Sequence, residues 1–224
     1  MRSANGSNLS EPVYEHLVNM ILTLKLKPGE KVPEAKIAKQ FGISRTPIRE
    51  ALRKLSNDGL INIYPNRYAE VVTYDDTYIR HVGELRIAID QMAIKLAIHY
   101  GSNADFMKLK QYADECSQAA REDNQAKRIQ ADIGFHMELA RISGNQLIEK
   151  LQKELNLQIE FILACKYINV DDTYMKSQAH HEIVDALIAR DEERAVRFAS
   201  RHLVEFYSMD DVYPAGFFEN RQSK

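Results

Sequence analysis

The sequence predicts a mainly α chain in two parts. A small helix-turn-helix unit is closed by a β-hairpin, and an all-α antiparallel bundle of six or seven helices follows. Three observations carry that expectation. Phe41 to Leu55 reads as a tight turn opening into an amphipathic helix. Two short β-prone runs come directly after it. From Thr77 to about Met209 the apolar residues then recur at helical spacing, broken only by brief polar or glycine-containing connections.

The turn and helix set the argument. Ser44 is placed to cap the helix, since its hydroxyl can accept from an orphan N–H of the first turn. Pro47 falls in that turn, where a missing N–H costs little. Ile48, Ala51, Leu52 and Leu55 share one face, while Arg45, Arg49 and Arg53 recur every fourth residue on another. Asp58-Gly59 ends the helix, with Gly59 suited to a left-handed position. Before it, Pro33 to Phe41 forms a short helix with Ile37, Ala38 and Phe41 turned inward, and Gly42 permits the sharp reversal. An arginine stripe alone is usually a solvated face. Behind a helix and a tight turn, it becomes a surface that a DNA major groove can accept.

The rest of this unit follows in order. Val13, Leu17, Val18, Ile21 and Leu22 mark a first helix from Glu11 to about Leu24, closed by Pro28-Gly29. Ile61 to Tyr64 and Ala69 to Val72 flank Pro65-Asn66-Arg67-Tyr68, a hairpin by composition. Three helices and a terminal hairpin describe a winged helix, with Arg67 at the wing tip facing a phosphate or minor groove. The expected boundaries are a disordered arm over 1–10, the winged helix over 11–74, the helical part over 75–210 and a tail over 211–224.

Composition sets bounds. At 45% hydrophobic and 28% charged residues the chain is ordinary for a soluble globular protein. No apolar run is long enough to span a bilayer, and the polar N-terminus lacks the core of a secretory signal. Cys116 and Cys165 fall inside helical patterns, where two small hydrophobes in a reducing cytoplasm are the expectation. Residues 1–75 carry 11 Lys+Arg against 8 Asp+Glu, and the remainder 19 against 24. A mildly basic front joined to an acidic back fits a nucleic-acid reader attached to something else.

In the helical part, successive helices are expected over about 77–99, 102–121, 125–143, 146–166, 175–190 and 191–209, with a polar loop around Asn169 to Thr173. Asp132 and His136 stand i,i+4 and project from one face together with Leu139 and Ala140. His180 lies near the middle of the stripe made by Ile183, Val184, Leu187 and Ile188, whereas His181 is turned about 100° toward its edge. His202 borders the face of Ala195, Ala199, Leu203 and Phe206. Taken singly, each is a hydrogen-bonded core residue, and Asp132 a partner for an arginine. Together, one carboxylate and three imidazoles would be satisfied by a divalent cation, with zinc first and nickel or manganese as alternatives. A helical metalloenzyme using that Asp/His site is the rival reading, since such a centre can activate water.

Residues 11–72 resemble the winged-helix domain of the GntR family through Phe41-Gly42-Ile43-Ser44-Arg45-Thr46-Pro47-Ile48-Arg49-Glu50-Ala51-Leu52. Residues 77–209 resemble the FCD effector domain of its FadR subfamily. The matching pieces are Glu84-Leu85-Arg86, Asp132-Ile133-Gly134-Phe135-His136, Ser143-Gly144-Asn145, the run from His180 to Leu187, and Arg201-His202-Leu203. The resemblance implies a dimeric, cytoplasmic bacterial transcription factor and no enzyme. It would bind a palindromic operator in double-stranded DNA through Ser44, Arg45, Thr46, Arg49, Arg53 and Arg67. It further implies that Asp132, His136, His180 and His202 hold the metal, with open positions for a small carboxylate effector. Arg86 and Asn145 would be effector contacts; their structural alternatives are a salt bridge to Asp90 and a helix C-cap. Tyr68 stands where the family's wings usually carry glycine, and Ala35 where some relatives have a DNA-binding arginine. Both departures shift the reading surface onto Arg45, Arg49 and Arg53.

Overall fold

The computed structural model describes residues 9–167 and 173–218. Most of the expected N-terminal arm, the loop at 169–172 and the end of the tail lie outside the described residues. The chain forms two compact units: one ends at Tyr74 and also includes Leu157–Cys165, and the other comprises Asp75–Asn156 and resumes at Lys166.

In the first unit, α1 (Ser10–Leu22), α2 (Glu34–Phe41) and α3 (Arg45–Asn57) precede β1 (Ile61–Tyr64) and β2 (Tyr68–Val71). Val13, Leu17 and Ile21 of α1 meet Ile48, Leu52 and Leu55 of α3, and Ile37, Ile61, Ala69 and Val71 close the core. The helix-turn-helix forms as expected. Gly42 ends α2 at φ +64°, and the Ile43 amide donates to the Ala38 carbonyl. Ile37 is fully buried, while Ala38 and Phe41 are half-buried at the edge of the core.

Local details depart from expectation. Ser44 occupies the N-cap position of α3 in extended backbone, but its side chain makes no capping hydrogen bond. Helix α1 stops at Leu22 because Leu24 turns left-handed at φ +54° and the Leu26 amide returns to the Met20 carbonyl. The hairpin pairs Ile61 with Val71 and Tyr64 with Tyr68, so β2 starts one residue earlier than expected. The segment around Lys31 lies on its other edge, where the Val32 amide donates to the Ala69 carbonyl and the Val71 amide to Glu30.

The nine residues 157–165 of α7 (Gln146–Tyr167) complete this first core. Phe161 is buried there, edge-on to Tyr74 at 5.9 Å, and the Gln158 amide donates to the Asp58 carbonyl at 3.3 Å. Gly59, at φ +81°, leaves room for Gln158, because a Cβ would lie 2.7 Å from its amide nitrogen.

The second unit contains α4 (Asp76–Tyr100), α5 (Asn103–Arg121), α6 (Gln125–Ile142), the first part of α7, α8 (Thr173–Ile188) and α9 (Glu192–Phe206). Six helices are therefore found among the described residues. Helix starts are fixed by side chains that accept orphan amides: Asp75 from Tyr78, Asn124 from Lys127, Asp191 from Arg194, and a Ser102/Asp105 capping box. Their apolar stripes meet in one core that includes Ile94, Phe106, Leu109, Phe135, Leu139, Ile183, Leu187 and Ala199. Beyond α9 the chain folds back without regular structure: Tyr213 hydrogen-bonds Glu84, and the Phe218 carbonyl accepts from Gln91 and Ser200. Among the described residues no helix is long and apolar enough to cross a membrane.

Candidate metal centre and nucleic-acid interface

Helix α6 supplies Asp132 and His136 one turn apart, α8 supplies His180, and α9 supplies His202. All four are buried, and one ligand atom from each lies within 4.8 Å of all the others. Asp132 Oδ1 is 3.4 Å from His180 Nε2 and 4.0 Å from the Nε2 atoms of His136 and His202. The Nε2 atoms of His136 and His180 are 3.4 Å apart. Two donors about 2.1 Å from a shared ion at a tetrahedral angle would be about 3.4 Å apart. The shorter separations already match that figure, whereas the 4.0 Å ones and any up to the 4.8 Å bound would have to close by between about half and one and a half ångströms on binding. The donor set therefore fits a divalent ion.

Electrostatics keep three of the four donors in the forms that bind an ion, whereas His180 would have to give up a proton. Burial, followed by the neighbouring His180, holds His202 well below the usual imidazole range; burial and then Arg86 lower His136. Burial also opposes protonation of His180, but Asp132 and then Cys116, both hydrogen-bonding to the ring, outweigh this and push it up to about 9. Asp132 resists burial, chiefly through Arg86, and stays well below the usual carboxylate range. Two neutral imidazoles and one ionised carboxylate are the forms that metals bind.

His181, one residue on from His180, instead reaches Asp114 at 2.8 Å on the surface. The turn of about 100° between neighbouring helical residues places one inside and the other at the surface. Arg86 is only 1% exposed and joins the centre, donating to Asp132 Oδ2 at 2.9 Å and facing the Tyr207 hydroxyl at 3.4 Å. The alternative pairing of Arg86 with Asp90 is corrected: Asp90 sits 2.6 Å from His136 Nδ1. Asn145 is used elsewhere. Its Oδ1 accepts from the amides of Leu147 and Ile148, so it caps the start of α7 rather than the end of α6. It lines a groove with Leu96, Tyr100, Ser143 and Leu147, none of which belongs to the cluster.

Asp90, four residues after Arg86 on α4, is legible in the sequence as a partner for Arg86, but not as the partner of His136. One further residue of this centre escapes sequence reasoning. Tyr207 follows the last turn of α9 and carries no periodic signal. Its ring lies on Gly83, where a Cβ would come within 2.6 Å of the ring's Cγ. Gly83→Ala should therefore cost about 1–3 kcal/mol by overpacking, seen as a lower melting temperature. Gly83→Ala combined with Tyr207→Ala should recover part of that loss.

On the first unit, Ser44, Arg45, Thr46, Arg49 and Arg53 are all exposed at or on α3. Arg67 is exposed in the hairpin turn, next to Asn66 at φ +59°. None of these four arginines has an acidic partner within 4.0 Å among the described residues. Lys54, by contrast, is held by Glu11 at 2.8 Å. Tyr68 packs along the hairpin, with its ring 4.8 Å from that of Tyr64 and Lys31 Nζ 4.1 Å above it.

A helix-turn-helix reader with unpaired arginines, on one chain with a helical unit built around a closed polar centre, defines a DNA-binding transcriptional regulator. Residues 9–71 match the gntR family of bacterial regulatory proteins, and residues 81–205 match the FCD domain. The chain belongs to the GntR family and carries an FCD domain. It is 27% identical to the uncharacterized HTH-type transcriptional regulator YdhC of Bacillus subtilis over 84% of this chain and 85% of that protein. It is 25% identical to the HTH-type transcriptional repressor RspR of Escherichia coli over 88% and 86%. Among solved structures, E. coli McbR/YncC shares the fold with a TM-score of 0.75 at 20% identity, covering 93% of this chain and 97% of that one. The family and these relatives are regulators, not enzymes, which sets the metalloenzyme reading aside.

Proposed function

We propose that this regulator is a metal-containing repressor in the bacterial cytoplasm whose hold on DNA responds to a small carboxylate. The observation that carries this reading is the convergence of Asp132, His136, His180 and His202 on one buried point. A divalent ion there, zinc before nickel or manganese, would leave coordination positions open to the carboxylate. Arg86 is the nearby cation for that anion, with its Nε still unpartnered. A contact from Asn145 would require it to give up its cap. The word repressor draws support from RspR.

DNA recognition falls to Arg45 and Arg49 for base edges or phosphates, Ser44 and Thr46 for phosphates near the helix start, and Arg53 and Arg67 for flanking backbone. A homodimer would place two such helices on the half-sites of a palindrome. The exposed apolar side chains Leu85, Met92 and Tyr100 of α4, with Leu147 and Leu151 of α7, offer a surface for a second copy. The carboxylate would act through differential contacts in two states of the dimer.

The test is fluorescence anisotropy on DNA from the protein's own genomic neighbourhood, using zinc-loaded protein with and without small carboxylic acids. Binding should weaken steeply with salt, and one of the acids should weaken it further. Arg49→Ala should cost about 1–3 kcal/mol and relax the preference at one base pair. A uniform loss across sequences would instead assign Arg49 to the backbone. A protein that ignores such DNA even at low ionic strength is not the regulator described here.

A further inference from the structure

We propose that Asp90 is the positioning residue of the metal centre, fixing His136 in the one tautomer and orientation that presents Nε2 to the ion. The inference rests on the ion-binding reading above and adds a residue that is not itself a ligand. Asp90 and His136 are both 1% exposed, and Asp90 Oδ2 lies 2.6 Å from His136 Nδ1. A buried carboxylate is costly unless a donor meets it. The guanidinium of Arg86, one turn back on α4, is hydrogen-bonded to Asp132 and faces Tyr207 instead. Among the described residues the ring N–H of His136 is thus the donor that meets Asp90.

An ionised carboxylate only accepts, so Nδ1 carries the hydrogen and Nε2 keeps its lone pair. That lone pair belongs to the atom 3.4 Å from His180 Nε2 and 4.0 Å from Asp132 Oδ1. Asp90 reaches the opposite edge of the ring, so it cannot act as a ligand while it holds Nδ1. The three imidazoles are not equivalent in this respect. Among the described residues no carboxylate meets His180 at Nδ1, where Cys116 is the neighbour, and His202 stacks parallel to His136 with centroids 6.0 Å apart. His136 is the ring steered by a carboxylate, and outer partners of this kind set both ligand orientation and basicity.

The test measures zinc affinity of the full chain by competition with a chromogenic chelator, alongside the visible spectrum of cobalt-loaded protein. Melting of the ion-free protein serves as the control for folding. Asp90→Ala should weaken zinc binding about 10- to 100-fold and alter the cobalt bands. Asp90→Asn, which keeps an oxygen acceptor for Nδ1–H, should recover most of the affinity and the native spectrum. Where Asp90→Ala does not fold, Asp90→Leu supplies a filled site without an acceptor. Native affinity in the acceptor-less variants overturns the proposal, as does a loss in Asp90→Asn equal to that in Asp90→Ala. If the native chain itself takes up no divalent ion, both this proposal and the metal reading fall; if only the variants behave like native, the metal reading stands without Asp90.

Discussion

Arg86→Ala is expected to destabilise the ion-free helical unit by about 3–5 kcal/mol, because it strips a buried carboxylate of its strongest partner. Arg86 and Asp132 are both almost wholly buried, and they meet at 2.9 Å. Without the guanidinium, Asp132 keeps His180 at 3.4 Å, and the Tyr207 hydroxyl loses its polar neighbour. An ion in the centre would set its own charge against Asp132, so the loss should shrink when zinc is present. Denaturant unfolding of native and variant protein, in chelator and in excess zinc, checks both parts. Arg86→Met should behave similarly, since it restores volume without charge. An equal loss with and without zinc would show that no ion compensates Asp132.

The second large effect lies in the packing beneath the donors. Phe135→Ala should cost about 3–5 kcal/mol, because the ring is fully buried in the main core of the helical unit. The ring also supports the centre directly, with its centroid 5.3 Å from that of His136 and 4.5 Å from that of His180. The cavity should therefore loosen two donors as well as the core. Phe135→Leu should retain much of the stability, since it refills part of the volume. Unfolding midpoints together with zinc affinity separate this double effect from a loss of stability alone.

Much of this arrangement was legible in the residues. A spacing of four put Asp132 and His136 on one face, and a turn of about 100° per residue separated His180 from His181. Arginines at every fourth position, opposite Ile48, Leu52 and Leu55, marked the exposed side of α3. What escaped depends on how distant elements meet. The choice of Asp132 over Asp90 as the partner of Arg86 is made by the packing of α4 against α6, which no periodicity encodes. Tyr207 is 121 positions from Arg86 and outside any helical stripe. The run from Phe161 to Ala164 is apolar on every side, and all four residues are buried. A stripe points in one direction, whereas a run without a polar face does not reveal which core it joins.

That ambiguity bears on how such regulators can be recombined. A cassette cut after Tyr74 would carry the arginines, the turn and the hairpin, yet would leave behind Phe161, which fills part of the same core. Any chimera that grafts this reading head onto a foreign sensor must therefore import Leu157–Cys165 or supply a substitute with the same shape. Heritable exchange between relatives faces the same constraint, because the two segments are adjacent in the folded chain but separated by more than eighty residues in the gene product.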